Sequence, residues 1–214
     1  MAGGLQPTAY PGLAQHWRVG EDGRWQLTPV SLAPGSPDLK RPLRDGDLDR
    51  RVEWLQDVET QVLSTGRPLA KQYASPEAYQ WRINLETDPS AVVFAIDDRT
   101  GRHIGDVDLH RIDWREKSAR LTILIGERSA RGAGYGTDAI ETLLYYAFRE
   151  LGLEEVRLRV FNFNKRAIRC YEKCGFVVTG GWDGMTPDST EVFMAISRER
   201  MLALHPDVET LRAA

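Results

Sequence analysis

The sequence predicts an α+β domain, a mixed α/β arrangement in which helices flank one central, twisted and mostly antiparallel sheet. Three observations predict it. First, "AVVFAIDD", "HIGDVDLHRID" and "SARLTILIGE" are apolar-rich segments joined by the short polar turns "RTGR" and "WREK", the pattern of an antiparallel meander. Second, Ile140, Leu143, Leu144, Ala147, Phe148 and Leu151 form one apolar stripe at helical spacing directly after a run of glycines. Third, in "EEVRLRV" Val156, Leu158 and Val160 alternate with Arg157 and Arg159, a strand with one buried face. The order that results is strand, helices, meander, helix, strand, helix, strand.

The elements follow along the chain. Residues 1–38 form a Pro/Gly-rich extension with Pro7, Pro11, Pro29, Pro34 and Pro37. A small hairpin is predicted across "GEDG", with Trp17 and Trp25 flanking the turn, and "APGSPD" reads as a linker. This arm is expected to pack on the domain or on a second subunit. The domain itself is expected over 39–200. "LKRPLR" is its candidate first strand, placed at an edge by Pro42. In "DGDLDRRVEWLQDVETQVLS", Leu48, Val52, Leu55, Val58 and Val62 recur with helical period and predict one helix. "SPEAYQWRINLE" opens with Ser and Pro, a helix start. After the meander and the long helix, Gly152 is a C-cap and "FNFN" a loop. "KRAIRCYEKCGF" is a helix with Ala167, Ile168, Tyr171 and Cys174 on one side, stopped by Gly175. "TEVFMAISRE" is the last strand, and residues 201–214 are a helical tail that frays.

Composition narrows the function. The 214 residues are 42% hydrophobic and 28% charged, with a net charge of -3. That balance builds a core and carries no basic excess for nucleic acid. Cys170 and Cys174 stand four apart with no companions, so they are expected as small core residues of a reducing compartment, and no metal is expected. No apolar run approaches the roughly 18 residues of a spanning helix, and the N-terminus lacks a signal pattern. A cytoplasmic protein with no membrane partner is the expectation.

The chemistry begins at "RGAGYGT", residues 131–137. A helix N-terminus carries unpaired N–H groups and a positive dipole end, and glycines let a phosphate reach it without meeting a Cβ. The same letters also suit a tight strand-to-helix turn that needs positive φ. A Walker A loop, G-x-x-x-x-G-K-S/T, is excluded because no Lys follows the glycines. A dinucleotide loop is excluded because the spacing is G-x-G-x-G and the preceding strand belongs to a meander.

Arg131 to Gly136 contain R-x-x-G-x-G, and "NKRAIRCYEKCGF" follows from Asn164 to Phe176. Together these blocks resemble the GNAT superfamily of N-acetyltransferases, and most nearly its bacterial branch of ribosomal-protein N-terminal and spermidine acetyltransferases. The resemblance covers roughly residues 39–200. It implies the GNAT acyl-CoA N-acyltransferase fold, with acetyl-CoA as co-substrate. It implies acetyl transfer to a primary amine by direct attack in a ternary complex. The acceptor would be a small molecule, a polyamine or a protein N-terminus, and a homodimer is common in the family. An acyl-CoA-sensing module without turnover is the alternative.

The resemblance also implies roles. Backbone of Leu124, Ile125 and Gly126 would pair with pantetheine, and one N–H would polarise the thioester carbonyl. The pyrophosphate would lie on the amides of Gly132, Ala133, Gly134, Tyr135, Gly136 and Thr137. Arg131 would add charge there, or is a loop arginine. Asn164 would bond the pantetheine arm, or cap the following helix, and Ala167, Tyr171 and Lys173 would line the cofactor. Tyr171 would be the general acid, since a phenol near pKa 10 holds its proton at neutral pH. For the base, period two places Asp106, Asp108 and His110 on one strand face, where acids would attract a cationic amine. That face is either the acceptor cleft or outward and solvated. Asp108 and its rival Glu127 are both carried as catalytic candidates, and water remains a third carrier of the proton.

Overall fold

The structure, a computed structural model, describes residues 43–69, 75–179 and 191–204, with two short strands in the N-terminal region. Those strands, β1 (Trp17–Val19) and β2 (Trp25–Leu27), pair antiparallel with Trp17 opposite Leu27, the expected hairpin. The rest of the N-terminal extension, residues 39–42 and the tail beyond Leu204 lie outside the described residues. Of the expected first strand, only Leu43 and Arg44 are described. They form no strand: Leu43 is buried and Arg44 is the extended N-cap of the first helix.

The helix expected over 45–64 is two helices, α1 (Asp45–Trp54) and α2 (Val58–Thr65). Asp57 makes the break. Its carboxylate accepts from the Thr60 N–H at 3.1 Å and from the Thr60 hydroxyl at 2.7 Å, an N-cap that restarts the helix. The turn buries Trp54 and Leu55, and Gln61 donates to the Leu55 carbonyl at 2.7 Å. The next helix, α3 (Ser75–Thr87), is where the Ser-Pro start predicts it.

Six strands form one sheet in the order β3-β4-β5-β6-β8-β7. β3 (Val92–Asp97), β4 (His103–Asp113) and β5 (Ser118–Ile125) are the antiparallel meander. β6 (Glu155–Phe161) lies parallel to β5, and β8 (Glu191–Ser197) antiparallel to β6. β7 (Val177–Val178) has two residues, too few to show alternation, and sequence reasoning missed it. Helix α4 (Tyr135–Tyr145) passes into a wider turn over Tyr146–Glu150; α5 (Lys165–Lys173) and α6 (Arg198–Leu204) complete the order.

The junction of β5 and β6 decides the site. Only Ser118, Ala119 and Arg120 pair with β6, opposite Glu155, Val156 and Arg157. β5 then runs on to Ile125 and β6 to Phe161 without pairing each other, so the sheet opens into a V. Register also sorts the two faces. Leu109, Leu121, Val156, Leu158, Met194 and Ile196 belong to the core, with the apolar stripe of α4. The opposite face carries Asp106, Asp108 and His110 of β4, Arg120 and Thr122 of β5, and Arg157 and Arg159 of β6. Arg51 of α1 reaches that face and pairs with Asp106.

Candidate active site

A cleft of about 1020 Å³ runs through the V. Its walls are Thr122 to Ile125 of β5 and Leu158 to Phe161 of β6, with the glycine turn and α5 on one side and α1 and α3 on the other. Of the residues predicted from sequence, it brings together Leu124, Ile125, Arg131, Gly132, Gly134, Gly136, Thr137, Asn164, Ala167, Tyr171 and Lys173.

The glycines divide by task. Gly132 has φ +80 and Gly134, the N-cap of α4, has φ +94. Side chains are strained there, yet a Cβ on either would meet nothing within 4 Å. The need is therefore conformational, and the space beside the turn stays open. No side chain caps α4, so its first amides face that space. Gly136 has no such dihedral; a Cβ there would stand 3.6 Å from Cys170 Sγ. The Ala133 N–H is spent inside the turn on the Ala130 carbonyl at 3.4 Å. Exposed Arg166 and Arg169 of α5 line the same side of the cleft with Lys173.

Gly126 departs from the expected role. Its N–H donates to the Ile104 carbonyl at 3.0 Å, and its carbonyl accepts from Arg131 at 3.0 Å. A Cβ on it would lie 1.9 Å from Trp54 Cδ2, so glycine is needed here for packing. Since the Gly126 amide points into β4, the pleat turns the Leu124 amide the same way and the Ile125 and Ile123 amides toward the open edge. Arg131 is likewise turned inward. It donates to the Ile125 carbonyl at 2.9 Å and to the Thr60 hydroxyl at 2.8 Å, fastening α2 to the end of β5. Its side chain is 8% exposed, and burial lowers its pKa.

Asn164 is the N-cap of α5, accepting from the Ala167 N–H at 3.2 Å, and it also faces the cleft. Tyr171 is buried edge-on against Phe176 with ring centroids 5.8 Å apart. Burial pushes its phenol well above the usual range, so it keeps its proton at neutral pH. Cys174 is in the core as expected, but Cys170 forms part of the cleft wall. Hydrogen bonds from Cys174 and Thr137 lower the pKa of the Cys170 thiol against the upward pull of burial.

The acidic face of β4 is not solvated. Asp106 is 2% exposed and Asp108 5%. Asp106 is held by Arg51 and by His103 Nε2 at 3.0 Å, and Arg51 in turn stacks on Trp81 at 3.5 Å. Asp108 sits behind the cleft and hydrogen-bonds His110 Nδ1 at 2.8 Å. Burial raises the Asp108 pKa, and the His110 contact opposes that rise. His110 itself faces the cleft. Glu127 lies away from the cleft lining. It caps the turn Arg128–Ala130 through Ser129, and pairs with Arg50 at 3.1 Å and Arg102 at 3.8 Å. Burial would raise its pKa, but Ser129 and these arginines hold it below the ordinary carboxylate value, which makes it a poor base.

A family model described as an acetyltransferase (GNAT) domain matches residues 39–177. The chain belongs to the GNAT family. Its relatives include the human alpha/beta-tubulin-N-acetyltransferase 9, 26% identical over 139 residues, with 59% of this chain and 65% of the relative covered. Vibrio cholerae spermidine N(1)-acetyltransferase is 34% identical over 87 residues, covering 41% of this chain and 50% of that one. The chain thus spans between half and two thirds of these curated relatives. A crystal structure of spermidine N-acetyltransferase from Vibrio cholerae with CoA and spermine superposes with a TM-score of 0.65 at 25% identity, covering 76% of this chain and 96% of that chain.

In this GNAT domain the V between β5 and β6, the glycine turn and Tyr171 meet on one cleft, as the two sequence blocks imply. Sequence reasoning missed the arginines of α5. Their signal was available, since Arg166, Arg169 and Lys173 recur at helical spacing behind Asn164. It also missed Trp81 and Arg120, which reach the GNAT cleft only through α3 packing and sheet register. Among the described residues no His, Cys, Asp and Glu cluster could hold a metal, and no helix is long and apolar enough to cross a membrane.

Proposed function

We propose that this GNAT domain transfers acetyl from acetyl-CoA to a primary amine by direct attack within the V. The observation that carries the reading is the meeting, in one cleft, of an unpaired stretch of β5 with an uncapped, glycine-flanked helix N-terminus. Pantetheine lies along β5, where the Ile125 amide at the open edge polarises the thioester carbonyl. The pyrophosphate lies on the first amides of α4, with Arg166, Arg169 and Lys173 supplying charge.

The amine nitrogen attacks the carbonyl carbon, and the C–S bond breaks as the tetrahedral intermediate collapses. Tyr171, held protonated by burial, donates a hydrogen bond to the leaving sulfur. The amine proton passes to His110, whose ring Asp108 orients. Asp108 therefore acts through His110, and Glu127 fixes the turn before the glycines. The spermidine and tubulin relatives, both amine acetyltransferases by name, support an amine as acceptor.

Calorimetric titration with acetyl-CoA, followed by thiol release over a panel of amines, tests the reading. Saturable binding and CoA release on one amine class are expected. Tyr171→Phe is expected to lower kcat by about 100-fold with acetyl-CoA affinity nearly intact. An unchanged kcat removes Tyr171 from the chemistry, and absence of acetyl-CoA binding removes the cradle.

A further inference from the structure

Away from the glycine turn, the charged side chains of the cleft are already matched to one another. Asp106 pairs with Arg51 and His103, Asp108 with His110 at 2.8 Å, and Glu191 with Arg159 at 3.4 Å. Glu77 and Arg120 also line this half, and neither is without a partner. Burial, and then the charges of Arg111, Arg159 and Arg157, lower the Arg120 pKa, so the local field is positive.

Much of the remaining wall is apolar. Register sets Phe193 opposite Arg159 and Phe161 opposite Glu191 on one face of the sheet. Leu55, Leu63 and Trp81 add to the wall from the helices. Two of the rings are held in place. Phe161 stacks on Phe163 with centroids 5.3 Å apart and planes at 7°, and a Cβ on Gly66 would stand 2.6 Å from its Cζ. Trp81 carries the Arg51 guanidinium over its ring at 3.5 Å. Trp81, Phe161 and Phe193 are only partly buried, and all three line the cleft.

The attacking nitrogen must be neutral to react, so an apolar wall costs it little. A second ammonium keeps its charge. Burying it beside apolar rings in a positive field costs free energy unless a carboxylate is left to meet it. Among the described residues, each acid lining this half is engaged already. A flat apolar ring gains instead, because it leaves water for rings fixed in advance.

We infer that the acceptor is an arylalkyl monoamine: its one charge is on the amine that reacts, and its ring lies against Trp81, Phe161 and Phe193. The inference rests on the acetyl-transfer reading and names its acceptor class. Nothing in it depends on which base is used.

The test compares matched acceptors. Thiol release from acetyl-CoA is followed with phenethylamine against ethylamine, which measures the ring, and with pentylamine against cadaverine, which measures the second charge. Spermidine is included. The expected result is a kcat/KM roughly tenfold or more higher for phenethylamine than for ethylamine, and for pentylamine than for cadaverine. Trp81→Ala is expected to erase the ring preference through KM while leaving acetyl-CoA affinity unchanged, and Trp81→Phe to keep part of it. Phe193→Ala, on the sheet and not on α3, is expected to lower the same preference. Use of ethylamine, cadaverine or spermidine equal to or better than that of phenethylamine overturns the inference, as does a ring preference unmoved in both alanine variants. A second measurement needs no turnover: CoA-loaded protein is titrated with N-acetylphenethylamine and with N-ethylacetamide. Tighter binding of the aryl product that weakens in Trp81→Ala or Phe193→Ala supports the inference. Equal binding, or a difference unmoved in both variants, overturns it. Absence of acetyl-CoA binding in the parent, by contrast, defeats the acetyl-transfer reading itself.

Discussion

At the scale of single residues, the glycines of this protein show how one residue type serves opposite ends. Gly132 and Gly134 stand over open space and are glycine for their dihedrals; Gly126 is glycine because Trp54 lies against it. Gly126→Ala drives a Cβ into the indole and is expected to cost about 1–3 kcal/mol, read as a lower midpoint in urea denaturation. The same crowding would displace Trp54 from its tilted contact with His103, centroids 4.9 Å apart. His110 supports a different kind of test. Below about pH 10 the neutral fraction of an alkylamine rises tenfold per pH unit, so a base matters most at neutral pH. His110→Gln is therefore expected to lower kcat/KM at pH 7 and to recover toward the parent rate by pH 10. A pH–rate profile parallel to that of the parent would remove His110 as proton acceptor. Sequence alone placed His110 beside Asp106 and Asp108 on one face, but not their different depths. Burial separates them: the aspartates lie beneath, and the imidazole reaches the cleft.

At the scale of elements, the break between α1 and α2 is the clearest departure from sequence periodicity. Leu48 to Val62 keep a helical spacing across the break, so the apolar pattern ran through it. A cap such as Asp57 looks like any polar residue on a helix face until Thr60 is seen to bond it. Burial pulls the Asp57 pKa upward, but the Thr60 bonds and Arg128, at 2.7 Å, carry it down to about 2. A carboxylate with a depressed folded pKa stabilises fully above its unfolded value near 3.8 and loses that contribution as pH falls toward 2. Thermal denaturation is thus expected to show a loss between pH 4 and pH 2 that Asp57→Ala lacks. At neutral pH Asp57→Ala is expected to cost about 1 kcal/mol, the usual worth of an N-cap. The consequence reaches the site, because Arg131 ties the Thr60 hydroxyl to the carbonyls of Ile125 and Gly126 at the end of β5. α5 behaves oppositely. Asn164 caps it and faces the cleft at once, so the two readings of that residue describe one side chain.

At the scale of the molecule, the cleft is an interruption of the sheet, and a ligand there bridges β5, β6, α4 and α5. Acetyl-CoA at about 100 times its Kd is expected to stabilise the folded state by about 2.7 kcal/mol, since it binds no unfolded chain. A concentration-dependent rise in Tm measures this, and a Tm indifferent to acetyl-CoA would contradict the bridging. The sequence by itself determined the meander, the glycine turn, the helix after it and the second block from Asn164 to Phe176. Each is a local pattern, set by side-chain period, turn chemistry or backbone dihedral within a short window. Only the tertiary structure decided that β5 and β6 pair for three residues and then part, that Gly126 answers to Trp54, and that Arg120 gathers three other guanidiniums. Those facts depend on register and depth between segments far apart in the chain, and no local pattern encodes the distance between them.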